Sequence, residues 1–330
     1  MQAAVIHRYG GPEVLAVQDV PAPTPGPRDV LIDVRAASLN PIDYKFRERK
    51  VWPVLRPRLP IVLGCDVAGV VRSVGAQVDT LAVGDEVFAR LEKARMGGLA
   101  EQVAADVAVV AKKPRSVDFV EAAAIPLAGL TALQALRDTA ALQPGQRVLV
   151  HAGAGGVGTL AIQIAKILGL VVVTTTSGKN RELVAGLGAD EVIDYTTEDV
   201  AAKARDLDAV FDTLGDASEL RSLAMVKRGG IVVGVSGMPD PDFALLPWFA
   251  RPLVWLRTRA RRAAVARTGA RFAYLFMRPD ADELAELAAW VDAGRLRPVV
   301  HRRFALTDVK AAFAELETGR ARGKIVVTIP

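Results

Sequence analysis

Three glycines near the middle of the chain have the spacing of a loop that holds phosphate groups. Gly153, Gly155 and Gly158 form the pattern G-x-G-x-x-G, between a β-prone run and an amphipathic helical run. In this setting glycines let the backbone turn sharply and approach a pyrophosphate, while N–H groups at the helix N-terminus stabilise its charge. The spacing therefore predicts a dinucleotide site, and a glycine-rich turn without a ligand is the alternative.

The residues after the next β-prone run indicate which dinucleotide binds. An NAD site usually has an acidic residue about 20 residues past the first glycine, but this chain has hydroxyl and basic residues there, in the run Thr174-Thr175-Thr176-Ser177-Gly178-Lys179-Asn180-Arg181. Such side chains can solvate and neutralise a 2′-phosphate. We therefore expect NADPH rather than NADH, with Ser177 and Lys179 among the contacts. In the alternative, Lys179 and Arg181 are solvated side chains at the start of a helix.

The numbers of cysteines and histidines argue against a metal centre. The chain has one cysteine, Cys65, and three scattered histidines, His7, His151 and His301. A catalytic zinc ion usually takes three protein ligands, which this set does not supply in any obvious way. We expect no metal, no disulfide framework, and a buried, unreactive Cys65, because free cysteines in apolar runs are commonly buried.

Two kinds of pattern along the chain predict two domains. The first third has short β-prone runs separated by Gly and Pro, typical of an antiparallel barrel or sandwich. From Pro114 onward short apolar strands alternate with helices, which is the pattern of a doubly wound parallel sheet. We assign residues 1–117 and 295–330 to the first domain and 118–294 to the second. The run Val148–Ala165 has no charged residue, but its glycines favour a buried strand and helix over a membrane span.

Overall composition narrows the function classes. The chain has 330 residues, of which 51% are hydrophobic, and a net charge of +5. The apolar content excludes a mainly disordered chain. The charge suits a phosphate site but indicates no nucleic-acid partner. The amino-terminal run has no pattern of a secretory signal, so we expect a cytoplasmic protein.

Five ordered blocks resemble one family. They are the glycine loop and the segments Ala37–Asp43, Leu63–Val71, Val83–Val87 and Ala122–Ala132. Together they resemble the medium-chain dehydrogenase/reductase superfamily, in its zinc-independent branch of quinone oxidoreductases and alkenal reductases. The resemblance implies an α/β fold: a GroES-like β-rich domain completed by the C-terminal tail, a Rossmann domain, and a cofactor in the cleft between them. Ser38 and Cys65-Asp66 stand where zinc-dependent alcohol dehydrogenases have Cys and His-Glu.

The missing zinc ligands favour one type of reaction. Alcohol oxidation is disfavoured, because zinc normally stabilises the alkoxide and no Tyr-Lys or His-Asp base pair replaces it. Hydride addition to a quinone, or to the conjugated C=C of an enone or alkenal, needs only orientation and hydrogen-bond donors for the developing oxyanion. We therefore expect an NADPH-dependent reductase of these small electrophiles. The alternative is an NADPH-binding protein with little catalysis, which senses redox state or uses the nucleotide structurally.

The resemblance also implies site residues. Asn40 would donate to the acceptor carbonyl or hold the cofactor ribose, and Lys45 would stabilise enolate charge, with Asp43 beside them and the proton donor left open. Alternatively, Asp43 and Lys45 form a local ion pair on a surface turn. The expected cofactor contacts are Thr131, Ala154, Gly155, Gly156, Val157, Gly158, Ser177, Lys179, Tyr195, Leu214, Val235, Ser236, Phe276, Met277 and Lys324. Phe276 and Met277 could instead be packing residues. A homodimer extended through strand Ile231–Val235 and its neighbours is expected by the same resemblance.

One segment remains outside this interpretation. Within 21 residues it contains seven arginines, interleaved with three aromatic residues, Trp248, Phe249 and Trp255. The arginines are Arg251, Arg257, Arg259, Arg261, Arg262, Arg267 and Arg271. The pattern favours a solvated helix over the active-site cleft, with its apolar side packed on the domain. Contact with an anionic membrane surface or with nucleic acid is the alternative.

Overall fold

The protein is described here by a computed structural model that covers residues 1–50, 58–93 and 95–330. The chain divides into two units. Unit 1 consists of Met1–Leu130 and Arg278–Pro330, and unit 2 is the intervening segment Thr131–Met277. The chain therefore leaves unit 1, builds unit 2 and returns to complete unit 1.

The elements follow one another in a regular order. The strands are β1 Gln2–Ile6, β2 Leu15–Asp19, β3 Asp29–Ser38, β4 Ile61–Val62, β5 Asp66–Val74, β6 Glu86–Arg90, β7 Gln102–Asp106, β8 Val110–Lys112, β9 Arg147–Val150, β10 Val171–Thr176, β11 Glu191–Asp194, β12 Leu207–Asp212, β13 Val226–Gly234, β14 Arg271–Tyr274, β15 Val300–Ala305 and β16 Lys324–Thr328. The helices are α1 Pro41–Arg47, α2 Phe119–Ala123, α3 Pro126–Leu133, α4 Gly156–Ile167, α5 Arg181–Gly186, α6 Val200–Lys203, α7 Asp216–Ser222, α8 Arg251–Arg257, α9 Arg259–Thr268, α10 Ala281–Asp292 and α11 Val309–Glu317.

Unit 1 is built on a mainly antiparallel sheet, as its sequence pattern predicts. The strand order is β15-β16-β3-β5-β6-β8, with β7 also paired to β3, and β2-β1-β4 form a second, smaller sheet. The predicted return of the tail is confirmed, because β16 pairs with β3 and brings Val326 opposite Ser38. Alternate apolar side chains of the strands, such as Ile32, Val67 and Val87, form the core of this unit.

Unit 2 is the predicted doubly wound sheet. Its six strands are all parallel, in the order β11-β10-β9-β12-β13-β14. Leu149, Val173 and Val210 are fully buried in one core cluster, which explains why these short strands are apolar throughout. The uncharged run Val148–Ala165 becomes the end of β9, the glycine loop and most of α4. Across the described residues, no helix is long and apolar enough to cross a membrane.

The boundaries of the units differ from those expected at residues 117/118 and 294/295. Helix α10 packs onto unit 1, where Asp292 Oδ1 accepts hydrogen bonds from the backbone N–H (2.9 Å) and the hydroxyl (2.8 Å) of Ser116. The side chain of Leu287, on the same helix, lies directly against Gly129. These contacts keep residues 118–130 and 278–294 in unit 1. The alternation of strands and helices in the sequence does not reveal which sheet a flanking helix covers.

Candidate functional site

The glycine loop of unit 2 joins β9 to α4, and two of its glycines have no room for a side chain. A Cβ on Gly153 would lie 2.0 Å from Thr174 Oγ1, and a Cβ on Gly158 would lie 2.2 Å from the carbonyl oxygen of Ala152. Ala152 itself has φ +53°, in the left-handed region, at the point where the chain leaves the strand. The close approach of strand, loop and helix therefore depends on the glycine spacing noted in the sequence.

Hydrogen bonds to β10 hold this loop in place. Gly153 N–H donates to the carbonyl oxygen of Thr175 (2.9 Å), and Ala152 N–H donates to Thr175 Oγ1 (3.2 Å). The N–H groups of Gly156, Val157 and Gly158 lie in the first turn of α4, where a helix offers no internal acceptor. The loop therefore presents free donors at the positive end of a helix, which is an arrangement suited to a phosphate group.

A buried polar chain beneath the loop was not foreseen from the sequence. His151 contacts Thr175 Oγ1 through Nδ1 (3.1 Å) and Ser222 Oγ through Nε2 (3.2 Å). Ser222 donates to Asp212 Oδ2 (3.0 Å), and Asp212 Oδ1 accepts the N–H of Leu214 (2.9 Å). Burial lowers the pKa of His151, so the imidazole is neutral near pH 7. Both ring nitrogens are occupied, which makes His151 a structural residue that connects the loops after β9 and β12.

The edge next to the glycine loop carries the residues expected to contact a 2′-phosphate. Ser177 and Lys179 follow β10, and the N–H of Tyr195 donates to the carbonyl oxygen of Thr176 (3.2 Å), so Tyr195 emerges at the same edge. Tyr195 is 60% exposed. Arg181 is less available, because its guanidinium donates to the carbonyl oxygen of Val192 (3.0 Å). The structure therefore brings Ser177, Lys179 and Tyr195 together.

The same edge carries an acidic residue that the sequence argument missed. Asp194 ends β11, one strand further along the sheet, and its Oδ2 lies 2.6 Å from the position of a Cβ on Gly178. Thr196 donates to Oδ1 of this carboxyl (2.6 Å) and holds its pKa below the usual range. The charge of the edge thus depends on Lys179 and Asp194 together. Asp194 reaches this edge because β11 lies beside β10 in the sheet. The sequence prediction considered only an acidic residue directly after β10.

The remaining expected contacts of unit 2 fall into two groups. Leu214, Val235 and Ser236 follow the carboxyl ends of β12 and β13, the edge where parallel α/β sheets bind ligands. Phe276 packs edge-on against Phe243, with ring centroids 5.3 Å apart. The buried residues of this set are Thr131 and Met277. The geometry supports the packing alternative for Phe276 and Met277.

The segment at Asn40 in unit 1 is buried, contrary to the surface-turn alternative. Asn40 is the N-cap residue of α1, and its backbone N–H donates to Asp43 Oδ2 (2.8 Å). Asp43 is fully buried, and burial raises its pKa to about 6. It forms no ion pair with Lys45. Asp43 therefore closes the first turn of α1 and carries a carboxyl that titrates close to neutral pH.

The side chain of Asn40 is fixed by two charged neighbours. Its Nδ2 donates to Asp66 Oδ2 (2.9 Å), and its Oδ1 accepts a hydrogen bond from Lys324 Nζ. Asp66 also accepts from Ser38 Oγ (3.1 Å) and from the N–H of Leu127 (3.0 Å). Asp66 is the centre of this cluster, a role that its place in the sequence does not predict.

The structure gives Lys324 a different role from the predicted phosphate contact. The residue is 5% exposed. Its ammonium donates to the carbonyl oxygen of Leu39 (3.1 Å) and to Asn40, and lies 3.4 Å from Asp66 Oδ2. All of its hydrogens are directed at acceptors of unit 1. The reason is the insertion of β16 beside β3, which brings the start of β16 against the end of β3.

Lys45 and Cys65 complete the segment. Lys45 lies on α1, half-buried, and burial lowers the pKa of its ammonium. Cys65 is buried as predicted, its Sγ donates to Asp43 Oδ1 (3.2 Å), and burial raises its thiol pKa well above the usual value. The thiol therefore stays protonated and is not a nucleophile. Within the described ranges, no three His, Cys, Asp or Glu side chains form a group that could hold a metal ion.

A separate cavity of about 710 Å³ opens in unit 1. Apolar side chains such as Val5, Phe46 and Val103 line it, together with Lys93. Burial lowers the pKa of Lys93 to about 7. Asn40, Asp43 and Lys45 are absent from its described lining, so the residues predicted from the sequence do not face this cavity.

Sequence comparisons match both units. Residues 26–115 match the model of the alcohol dehydrogenase GroES-like domain, and residues 187–327 match the model named zinc-binding dehydrogenase. The chain is 38% identical over 338 residues to the chloroplastic NADPH-dependent alkenal/one oxidoreductase of Arabidopsis thaliana, covering 99% of this chain and 79% of the relative.

Solved structures give the same result. The quinone oxidoreductase of Coxiella burnetii superposes with a TM-score of 0.86 at 34% identity, covering 100% of this chain and 99% of the other. The quinone oxidoreductase of Escherichia coli, solved in complex with NADPH, superposes with a TM-score of 0.85 at 26% identity, covering 99% and 100%. The fold expected from the resemblance is therefore confirmed.

Proposed function

Since the chain belongs to the medium-chain dehydrogenase/reductase family, among its quinone and alkenal oxidoreductases, we propose that it reduces small electrophiles with NADPH. The acceptors are quinones, or the conjugated C=C bond of enones and alkenals. The observation that carries the proposal is the glycine loop of unit 2 followed by the edge of Ser177, Lys179 and Tyr195. A relative of this chain is named an NADPH-dependent alkenal/one oxidoreductase.

The residues of the chain fit the phosphate groups of NADPH. The first-turn N–H groups of α4 would bind the pyrophosphate, and the loop that presents them is closed tightly because Gly153 and Gly158 carry no side chain. Lys179 and the hydroxyls of Ser177 and Tyr195 would bind the 2′-phosphate. NADPH, when bound, supplies the hydride that reduces the acceptor.

In unit 1 we propose that Lys45 stabilises the charge that develops on the acceptor and that Asn40 positions the acceptor. Reduction of a conjugated carbonyl places negative charge on the carbonyl oxygen, and a nearby ammonium stabilises that charge. Burial lowers the pKa of Lys45, so Nζ gives up a proton more readily than an exposed lysine does. The amide of Asn40 is held between Asp66 and Lys324, which makes it a rigid support rather than a mobile donor. Asp43 fixes the start of α1 through Asn40 N–H.

We propose that this chemistry proceeds without zinc, although one matching domain model is named for zinc binding. By the resemblance, Ser38 stands where zinc-dependent alcohol dehydrogenases have Cys, and Cys65-Asp66 stand where they have His-Glu. The Cys65 thiol is protonated and donates to Asp43, while Asp66 already accepts from Ser38 and Asn40. The ammonium of Lys324 lies 3.4 Å from Asp66 Oδ2, where it would repel a cation. This donor set does not fit a zinc ion.

The dimer and the location are also proposals. Strand β13 lies between β12 and β14, so β14 is the edge through which a homodimer would extend the sheet. A cytoplasmic location stays a prediction from the sequence, and relatives include chloroplastic and mitochondrial proteins.

Steady-state oxidation of NADPH and of NADH against matched acceptors tests the function. We expect turnover with p-benzoquinone, methyl vinyl ketone and trans-2-hexenal, none with butanone or hexanal, and a lower KM for NADPH than for NADH. Lys179→Ala raises the KM for NADPH and leaves that for NADH unchanged, whereas Lys45→Met lowers kcat and leaves NADPH affinity unchanged. Tight NADPH binding without turnover on any acceptor would refute the enzyme and favour a redox-sensing protein.

A further inference from the structure

One surface of unit 2 takes no part in the proposed reaction. Residues 243–277 contain seven arginines, no lysine and no acidic residue. Such a run of 35 residues is unusual in a chain that has 37 acidic side chains in all. Its central part forms α8 and α9, so the positive charge is concentrated on two consecutive short helices.

The same segment exposes large apolar side chains. Eleven of these are solvent-exposed in the described part of the chain, and six of the eleven fall within residues 245–256. Trp248 is 81% exposed and Trp255 is 58% exposed. The other four are Leu245, Phe249, Leu253 and Leu256. The prediction that the apolar side of this segment packs on the domain is wrong for these six side chains.

The fold explains why these side chains stay outside. On α8 only Val254 is buried, and the hydroxyl of Thr258 donates back to its carbonyl oxygen (2.8 Å). On α9 the anchor is Arg261, whose guanidinium donates to Glu219 Oε2 (3.1 Å) and to the carbonyl oxygen of Met238 (2.8 Å). The buried side chains Val254, Arg261 and Ala264 attach the two helices to unit 2. The remaining apolar and basic side chains are therefore free to serve an external surface.

We propose that this surface, residues 245–262, docks on a membrane that carries anionic lipid headgroups. Arginines attract such headgroups, while exposed tryptophan, phenylalanine and leucine side chains enter the boundary between headgroups and acyl chains. Arg262 lies over the ring of Trp255, at 4.2 Å from the centroid, so cation and aromatic ring are presented together. Helices α8 and α9 have seven and ten residues, too short to span a bilayer, and they would lie in its plane.

Charge complementarity favours a lipid surface over a second copy of the chain. In a two-fold interface the patch would face itself, and the segment offers no carboxylate to pair with the arginines of the partner. Nucleic acid would satisfy the arginines, but protein–DNA interfaces are polar and have little use for six exposed apolar side chains. An anionic bilayer satisfies both kinds of side chain at once.

Flotation of the full chain with vesicles tests the proposal, and it does so independently of any turnover. Vesicles of phosphatidylcholine with one quarter phosphatidylglycerol are compared with pure phosphatidylcholine, at low and at high salt. We expect binding to the anionic vesicles only, weakened by salt, with a blue shift of tryptophan fluorescence. Arg257→Glu/Arg259→Glu should lower the partition coefficient more than 25-fold, from about fivefold for each arginine removed. Trp248→Ser/Trp255→Ser should abolish the blue shift and most of the binding.

The control is Arg8→Glu/Arg35→Glu, which changes the net charge equally at two exposed arginines of unit 1. It should bind as the original chain does, and equal loss in this control would overturn the proposal, because net charge alone would then explain binding. Absence of flotation at low salt would overturn it too. A third outcome would also overturn the proposal: the original chain is a dimer in lipid-free buffer, and the Trp248→Ser/Trp255→Ser variant is a monomer that still binds vesicles. Binding to duplex DNA in preference to anionic vesicles would assign the surface to nucleic acid instead.

Discussion

Replacing Gly158 by alanine is the sharpest test of the glycine loop. The new Cβ would lie 2.2 Å from the carbonyl oxygen of Ala152 and 2.7 Å from the Cα of Gly153, where contacts below 3.0 Å are essentially never seen. Both neighbours are backbone atoms, so no side chain can rotate away. To bring the contact with Ala152 O to 3.0 Å, the loop must move by about 0.8 Å. Overpacking of this kind costs about 1–3 kcal/mol, less the helix propensity that alanine gains.

The expected result is a net loss of up to about 2 kcal/mol of folding free energy, seen as a fall in Tm of up to about 8 °C by calorimetry of the NADPH-free chain. Displacement of the first-turn N–H groups should also weaken NADPH binding at least tenfold by titration calorimetry, or about 1.4 kcal/mol. Gly155→Ala is the matched control, because its Cβ would approach Ala152 O only to 3.2 Å. Its Tm should change little. Equal Tm values for the two variants, or unchanged NADPH affinity in Gly158→Ala, would refute the steric argument.

Three further predictions concern stability. Lys324→Met leaves Asp66 buried without its cation and should cost about 3–5 kcal/mol in urea unfolding; a loss below 1 kcal/mol would contradict the assigned role. Asp43 binds its proton more tightly when folded, so its contribution to stability is full below pH 3.8 and is lost as the pH rises through about 6. Asp43→Asn should remove this pH-dependent change in stability, which is about 2 kcal/mol between pH 4 and 7, and an unchanged stability–pH profile would contradict the burial argument. Arg261→Gln leaves Glu219 buried and unpaired and should destabilise unit 2 by about 3 kcal/mol at pH 8. The loss should be smaller at pH 5, because burial raises the pKa of Glu219 to about 7 and the carboxyl is then protonated. An equal loss of stability at pH 5 and pH 8 would contradict this assignment.

The fold was predictable because its signals are local. The short β-prone runs between Gly and Pro predict the antiparallel sheet of unit 1, and the pattern of Gly153 and Gly158 predicts the turn between β9 and α4. The assignment of α10 to unit 2 was wrong because the sequence of a helix does not show which sheet the helix packs against. The unforeseen apolar surface on α8 has the same origin: the apolar residues predict a buried face, and only the tertiary structure reveals that Val254 alone is covered.

The site was predictable to a smaller extent. Ser177, Lys179 and Tyr195 meet at one edge because they follow neighbouring parallel strands, which a sequence argument can anticipate. The role of Lys324 was misjudged and Asp194 was missed, because strand register sets the surroundings of both residues. Lys324 and its partner Asn40 are 284 residues apart in the chain. A long-range pairing of this kind leaves no trace in the local composition around either residue.

The insertion of β16 next to β3 has a consequence for the order of folding. All of unit 2 lies between these two strands in the chain, so translation completes unit 2 while residues 36–38 of β3 are paired with β5 on one side and still lack β16 on the other. Unit 2 is contiguous and can begin to fold on its own, whereas unit 1 must close a loop of almost 300 residues, which slows its formation. Until then this side of β3 is an open sheet edge, the kind of surface that chaperones cover in newly made proteins.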